Sequence, residues 1–249
     1  MNDWLYASWI NITNPYRMLY GEKKGGYLAI SKKGKFWKVT HDDIPMFSPS
    51  PHCLGVRVKV FGERFEPVLK VEKGDAVMDV GASAGDTSIL FAKKCAPGLL
   101  IAVEAEGLNA ECLEYNLKDY NHEIINKAAW NKRDKLRFNI NETVCGHSIA
   151  GAEGDTDCTE VEADTIDNMA AGRKIDFLKI DIQGAEIEGL EGAEEVLRKV
   201  KKVVVETHNV NGKSTCPDVV EYLKRKGFEV KTTPQITGCP EPDIVHAWH

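Results

Sequence analysis

The sequence predicts an α/β protein with a doubly wound, largely parallel sheet, and three features of it do so. From Asp75 onward, short β-branched runs alternate with helix-length amphipathic stretches, the rhythm of strands joined by crossover helices. The run Val77-Met78-Asp79-Val80 passes into Gly81-Ala82-Ser83-Ala84-Gly85 and then into a helix, so the backbone turns tightly and leaves its amides open at the sheet's carboxyl edge. The next apolar run ends on an acid, Glu104, 25 residues after Asp79.

The elements follow in order. A strand over 76–80 leads into a helix from about 86 to 95, closed by Pro97-Gly98. A strand over 99–104, a helix from about 108 to 118 and a third strand near 123–128 come next, and buried strands return at 175–181 and 203–206. The polar stretch 139–160 holds three glycines and little periodicity; it is too long for a simple connection and reads as part β-hairpin, part loop over the active site. Pro217-Asp218 opens a helix whose apolar face is Val219, Val220 and Leu223 and whose stop is Gly227, and 228–230 and 243–247 read as the last two strands.

Residues 1–65 do not share this rhythm and are expected to form a cap on a catalytic domain spanning 66–249. Tyr27-Leu28-Ala29-Ile30 and Phe36-Trp37-Lys38-Val39, joined across Lys32-Lys33-Gly34-Lys35, predict a β-hairpin. Pro45, Pro49 and Pro51 are expected to break further structure, and 65–71 to enter the sheet as a short helix.

Composition narrows the functional classes. At 43% hydrophobic and 28% charged residues the chain is globular in type, and its longest apolar stretch, Leu99-Leu100-Ile101-Ala102-Val103, is far short of a membrane span. Met1-Asn2-Asp3-Trp4 does not resemble a secretory signal, so a cytoplasmic address with no membrane partner is the expectation. Seven scattered cysteines without a Cys-x-x-Cys pair argue against a disulfide framework or zinc ribbon; His52-Cys53 and Cys145-Gly146-His147 are the nearest things to a metal pair. The net charge of −6 is uneven: residues 1–74 carry 12 Lys+Arg against 7 Asp+Glu, and the remainder carries 20 against 31.

The turn after the first sheet strand has a serine where a dinucleotide-binding loop needs its second glycine. Asp79, two positions before Gly81, would repel a pyrophosphate but suits a ligand bearing an ammonium, as S-adenosylmethionine does. A carboxylate at Glu104 can accept hydrogen bonds from both hydroxyls of a ribose. Small residues at Ala128 and Ala129 fall where an adenine ring would lie. The expected cofactor contacts are Asp79, Gly81, Ala82, Ser83, Gly85, Asp86, Glu104, Ala105, Ala128 and Ala129, with Asp181 added from the fourth strand.

On these residues the chain resembles the FkbM family of methyltransferases. The resemblance rests on Asp79 to Asp86, on Val103-Glu104-Ala105-Glu106, on Ala163-Asp164-Thr165-Ile166-Asp167, and above all on Asp176-Phe177-Leu178-Lys179-Ile180-Asp181-Ile182-Gln183-Gly184-Ala185-Glu186 followed by Glu191-Gly192-Ala193. It covers about residues 66–210 and departs from the family at Gln183, where glutamate is common. The resemblance implies a class I methyltransferase sheet of strand order 3-2-1-4-5-7-6 with the seventh strand antiparallel, S-adenosyl-L-methionine as donor, and O-methylation of a small molecule or sugar.

Chemistry is expected where the fourth and fifth strands end, at Asp181 and at Glu206, His208 and Asn209. His208, with an ordinary pKa, is the candidate base; Asp181 would orient the acceptor or the cofactor's ammonium; a divalent cation bridging Asp181 with Glu206 or Asn209 is the weaker alternative. A small-molecule acceptor is the leading expectation. The alternative is an RNA methyltransferase of the tRNA type, which would use Tyr27, Phe36 and Trp37 among the lysines of the basic N-terminal segment.

Overall fold

The computed structural model describes residues 28–41, 44–50, 65–139, 148–149, 158–234 and 244–249. Three strands, β1 (Leu28–Lys33), β2 (Phe36–His41) and β3 (Ile44–Ser48), form an antiparallel sheet at the N-terminal end. The chain then alternates through β4 (Val77–Val80), α1 (Asp86–Cys95), β5 (Leu100–Val103), α2 (Gly107–Leu117) and β6 (His122–Ile125). A side sheet follows, built from β7 (Ala128–Ala129), β8 (Asp134–Asn139), β9 (Ser148–Ile149) and β10 (Cys158–Asp164). Helix α3 (Ile166–Ala170) leads into β11 (Phe177–Ile180), α4 (Glu186–Glu191), α5 (Glu194–Leu197) and β12 (Lys202–Glu206). The short pair β13 (Asn209–Val210) and β14 (Lys213–Ser214), helix α6 (Cys216–Arg225), β15 (Glu229–Thr233) and β16 (Ile244–Trp248) complete it.

The main sheet has the order β6-β5-β4-β11-β12-β16-β15, with β16 antiparallel to both neighbours. Counted along the chain this is 3-2-1-4-5-7-6 with the seventh strand reversed, as the family resemblance implies. The two-residue period of its strands divides the core. Val77 and Phe177 face Phe91 of α1 and Leu113 and Leu117 of α2, whereas Met78, Val80, Leu178 and Ile180 face Leu190, Val219 and Leu223. Each such side chain, fully buried, contributes roughly 1.5–3 kcal/mol relative to exposure.

Helix α1 begins at Gly85, with Asp86 in its first turn and Lys93 and Lys94 in its last, a charge order that complements the helix dipole. Helix α2 is capped by Glu106, whose side chain accepts from the amides of Leu108 and Asn109. The N-terminal sheet rests against α2. Phe36 and Phe47 flank Tyr115, each with ring centroids 5.5 Å away, while Asn116 donates to the carbonyls of Phe47 and Ala84 and accepts from the Phe47 amide. Trp37 and Met46 are buried in the same core as α1.

Three expectations are corrected. The third sheet strand ends at Ile125, and Ala128–Ala129 belongs to the side sheet, parallel to β10. Asn126 turns back to donate to the carbonyls of Glu104 and Ala105, and this pulls the chain out of the main sheet. Pro45 lies within strand β3, at the sheet edge where its missing N–H removes no ladder bond. Residues 65–71 are not helical; Phe65 and Val71 are buried along an irregular segment tied down by the bond from the Val71 amide to Glu66.

Of the polar stretch 139–160, the hairpin part is seen as β8 against β10, with β9 on the outer side of β8. The remainder of that stretch, with Cys145 and His147, lies outside the described residues, as do Tyr27, His52, Cys53 and Pro51. Among the described residues Cys95 and Cys112 are buried free thiols, and no helix is long and apolar enough to cross a membrane.

Candidate active site

The carboxyl ends of β5, β4, β11 and β12 lie side by side, and β4 and β11 are neighbours on which the order of strand addition reverses, the position where open α/β sheets bind ligands. The turn after β4 is strapped down on both sides. The Gly81 and Ala82 amides both donate to the Val103 carbonyl, and the Asp181 amide donates to that of Val80. Gly81 has φ +77°, and a Cβ there would sit 1.8 Å from the Asp181 carbonyl oxygen, so a side chain is excluded both by conformation and by backbone contact. Ser83 also takes a left-handed φ of 51°, which aims its amide at Glu104 Oε2, 2.7 Å away.

Glu104 is 7% exposed, and its other oxygen accepts from the Glu106 amide at 2.8 Å. Burial pushes its carboxyl up to about 7, opposed by the two amide hydrogen bonds. Each oxygen has a second lone pair, so the group can still accept from a ribose diol, and two further donors would favour its charged form.

Asp79 is fully buried and already holds an ammonium, that of Lys179. On the parallel pair β4 and β11, Asp79 and Lys179 stand opposite each other in register and on the same face. Lys179 Nζ lies 2.8 Å from Asp79 Oδ1, donates to the Gly81 carbonyl at 2.9 Å and stands 3.8 Å from Asp181 Oδ2. Ser88 of α1 donates to Asp79 Oδ2 at 2.6 Å. Burial works to neutralise Lys179, yet Asp79 and Asp181 outweigh it and keep the ammonium above its ordinary range. The ammonium that Asp79 meets within the protein is therefore that of Lys179. Its visible role is to hold, through Lys179 and Ser88, the turn and the helix that start the site.

A second cluster occupies the ends of β11 and β12. Asp181, Glu206 and His208 each offer a ligand atom, all within 4.8 Å of one another. His208 Nδ1 lies 2.9 Å from Oε1 of Glu186, a fully buried carboxylate that also accepts from the Gly184 amide and, through Oε2, from Thr215 Oγ1. His208 Nε2 faces Asp181 Oδ1 at 3.7 Å. Burial disfavours a charged ring, but the bond to Glu186 and the charges of Asp181, Glu186 and Glu206 prevail, and the pKa of His208 rises to about 9. The expected base of ordinary pKa is thus an imidazolium at neutral pH.

Most of the expected residues meet at this edge, from Asp79, Gly81, Ser83 and Glu104 to Asp181, Glu206 and His208. Ala82 is buried beneath the turn, Ala105 accepts from Asn126, and Asp86 bonds the Thr87 amide of its own helix. Ala128 and Ala129 are buried in the side sheet, and Asn209 is exposed on β13. Lys179, Ser88, Glu186 and Thr215 were not foreseen as site residues. The one signal for them was a lysine inside the apolar run Phe177-Leu178-Lys179-Ile180, since lysine is almost never fully buried unless paired. Gln183, the departure from the family, donates Nε2 to Asp181 Oδ1 at 2.9 Å, a bond that an ionised glutamate could not make.

The architecture is that of class I S-adenosylmethionine-dependent methyltransferases. TYW2 from M. jannaschii, solved with AdoMet, superimposes with a TM-score of 0.53 at 14% identity, covering 90% of this chain and 97% of that one. Fibrillarin from Aeropyrum pernix, with natively bound S-adenosyl-L-methionine, gives 0.50 at 13% identity over 89% and 99%. The methyltransferase FkbM domain matches residues 79–230, more than half of the sequence, and the chain belongs to that family. The FkbM methyltransferase of Methylobacillus flagellatus KT superimposes with a TM-score of 0.56 at 16% identity over 74% of this chain and only 46% of that one. No curated protein matches by sequence.

Proposed function

We propose that this methyltransferase transfers the methyl group of S-adenosylmethionine to a hydroxyl oxygen of a small molecule. The observation that carries the reading is the placement of Asp181, Glu206 and His208, groups able to orient a hydroxyl and accept its proton, on the two strand ends beside the Gly81–Gly85 turn. The residues suit the donor. Glu104 presents a buried carboxylate with acceptor capacity for a ribose diol, and Asp181 presents a half-buried one for an ammonium. The amides of Gly81, Ala82, Ser83 and Gly85 are bonded within the protein, so we assign the remaining contacts to the outer surface of that turn and, in the side sheet, to Ala128 and Ala129.

S-adenosylmethionine supplies a methyl carbon on a cationic sulfur, which keeps the electron pair of the breaking C–S bond as an acceptor lone pair forms the new O–C bond. The protein's part is alignment and proton management. Glu186 fixes the His208 ring, Gln183 fixes Asp181, and the hydroxyl proton passes into the cluster that these residues form. A cationic donor at this edge disfavours the extra proton on His208 Nε2, which moves the ring toward the form that can act as a base.

Two of the three aromatics on which the RNA alternative rests are turned away from solvent. Trp37 and Phe36 are 1% and 4% exposed and pack inward, so they offer no stacking platform for bases. The test is transfer from methyl-labelled S-adenosylmethionine to a panel of hydroxylated small molecules and, in parallel, to total RNA. Label in the small-molecule fraction is expected; label confined to RNA overturns the reading.

A further inference from the structure

Resting on that reading of the cluster, we infer that Asp181, Glu206 and His208 bind one divalent cation, of the class that accepts mixed oxygen and imidazole ligands, with positions left open toward the acceptor hydroxyl. Two carboxylate oxygens and one ring nitrogen converge within 4.8 Å from two adjacent strand ends. Oxygen donors with one imidazole suit manganese-type ions, and three protein ligands leave room for the acceptor. The gap of 3.7 Å between His208 Nε2 and Asp181 Oδ1 is too long for a hydrogen bond. It is close to the separation of two ligands that share an ion at about 2.1 Å each.

The surroundings of the histidine are the independent observation. Nδ1 meets Glu186 Oε1 at 2.9 Å, and Glu186 is itself fully buried and held by the Gly184 amide and Thr215 Oγ1. With Nδ1–H donating to that fixed carboxylate, Nε2 is the atom left to coordinate, an ion displacing its proton, and it faces Asp181 Oδ1. A buried carboxylate orienting the far nitrogen is the arrangement that supports histidine ligands in metal sites. Gln183, donating to the same Asp181 oxygen, fixes the second ligand.

With all three side chains engaged as ligands, the cation would take over the part of the base: it would draw electron density from the acceptor oxygen, and the hydroxyl proton would depart to water rather than into the cluster. The oxygen lone pair then forms the bond to the methyl carbon while the C–S pair returns to sulfur. No oxidation or reduction takes place.

The test is titration of the chelator-treated full chain with Mn²⁺ alone, following the loss of the free-ion electron paramagnetic resonance signal. One ion per chain is expected, with Kd raised at least tenfold in Asp181→Asn and in Glu206→Gln and unchanged in Glu72→Gln, an exposed acid outside the site. Absence of stoichiometric binding below about 1 mM, or binding that neither site variant weakens, overturns the inference. Should those two variants not fold, the histidine ring resonances of the wild-type chain decide, with one further variant used only for assignment. Zn²⁺ should shift the ring Nε2 resonance of His208, identified by its loss in His208→Gln, and an unmoved resonance overturns the inference. Calorimetry with S-adenosylmethionine on the same metal-free protein keeps the two readings apart. Donor binding without Mn²⁺ binding leaves the methyl-transfer reading standing and removes the cation.

Discussion

Replacing Lys179 with methionine should destabilise the protein by about 3–5 kcal/mol, the range for removing one partner of a buried ion pair. Lys179 is 2% exposed and Asp79 not at all, so neither water nor salt can substitute for the lost partner. The substitution keeps the volume but leaves the Gly81 carbonyl without its 2.9 Å donor and Asp79 without its 2.8 Å counter-ion. For a chain of this size the loss corresponds to a fall in Tm of roughly 6–20 °C. Asp79 would then be better tolerated protonated. Burial already raises its carboxyl above its ordinary value, and losing Lys179 raises it further, so the folded state binds the proton more tightly than the unfolded state. The variant should therefore regain stability as pH falls from 7 toward 4. Combining Lys179→Met with Asp79→Asn removes the charge while keeping a partner for Ser88, and should recover more than half of the loss. Urea unfolding of the four proteins in the cycle is the assay. A single-variant loss below about 1 kcal/mol, or no recovery in the double variant, would refute the ion pair's role.

Four further outcomes follow from the geometry. Gly81→Ala should abolish donor binding or folding, because its Cβ would fall 1.8 Å from the Asp181 carbonyl, whereas Gly184→Ala, also strained by its φ of +106°, meets a side chain, Val210 at 2.5 Å on an exposed hairpin, rather than backbone and should be milder; thermal melts compare them. Glu104→Ala should weaken S-adenosylmethionine at least tenfold, since hydrogen bonds to a charged acceptor contribute roughly 1.5–3 kcal/mol each. In the wild type the carboxyl of Glu104, at about 7, must lose its proton to accept the ribose hydroxyls, so affinity should be constant above pH 8 and fall below pH 7; calorimetry across pH, with Glu104→Gln as the flat control, checks the sign. Asn116→Ala removes three hydrogen bonds joining α2, Phe47 and the turn carbonyl of Ala84, and should loosen the N-terminal sheet, read as faster limited proteolysis there with the donor affinity changed little.

What could be read from the sequence was local. Alternating apolar runs and amphipathic stretches marked the strands of the main sheet to within a few residues, because side-chain period and turn chemistry are properties of neighbouring residues. The Gly81–Gly85 turn and the acid at Glu104 were legible for the same reason. Reading 123–128 as one strand failed because the exit is set by Asn126 bonding back to carbonyls some twenty residues earlier, and Pro45 joined a strand because that strand lies at an edge.

By itself, then, the sequence determined the order of elements, the family and the residue types gathered at the sheet's carboxyl edge. Tertiary structure decided what those residues meet. Lys179 lies 100 positions from Asp79, and only the register of β4 on β11 brings its ammonium to that carboxylate, so Asp79 is satisfied from within the protein. His208 has an ordinary imidazole in the sequence and a raised pKa in the fold, because Asp181 and Glu186, more than twenty residues earlier, are brought beside it and its near neighbour Glu206, and their summed field outweighs burial. Strand pairing and desolvation depend on distant parts of the chain, and a period read along one segment carries no information about the charge that will face it.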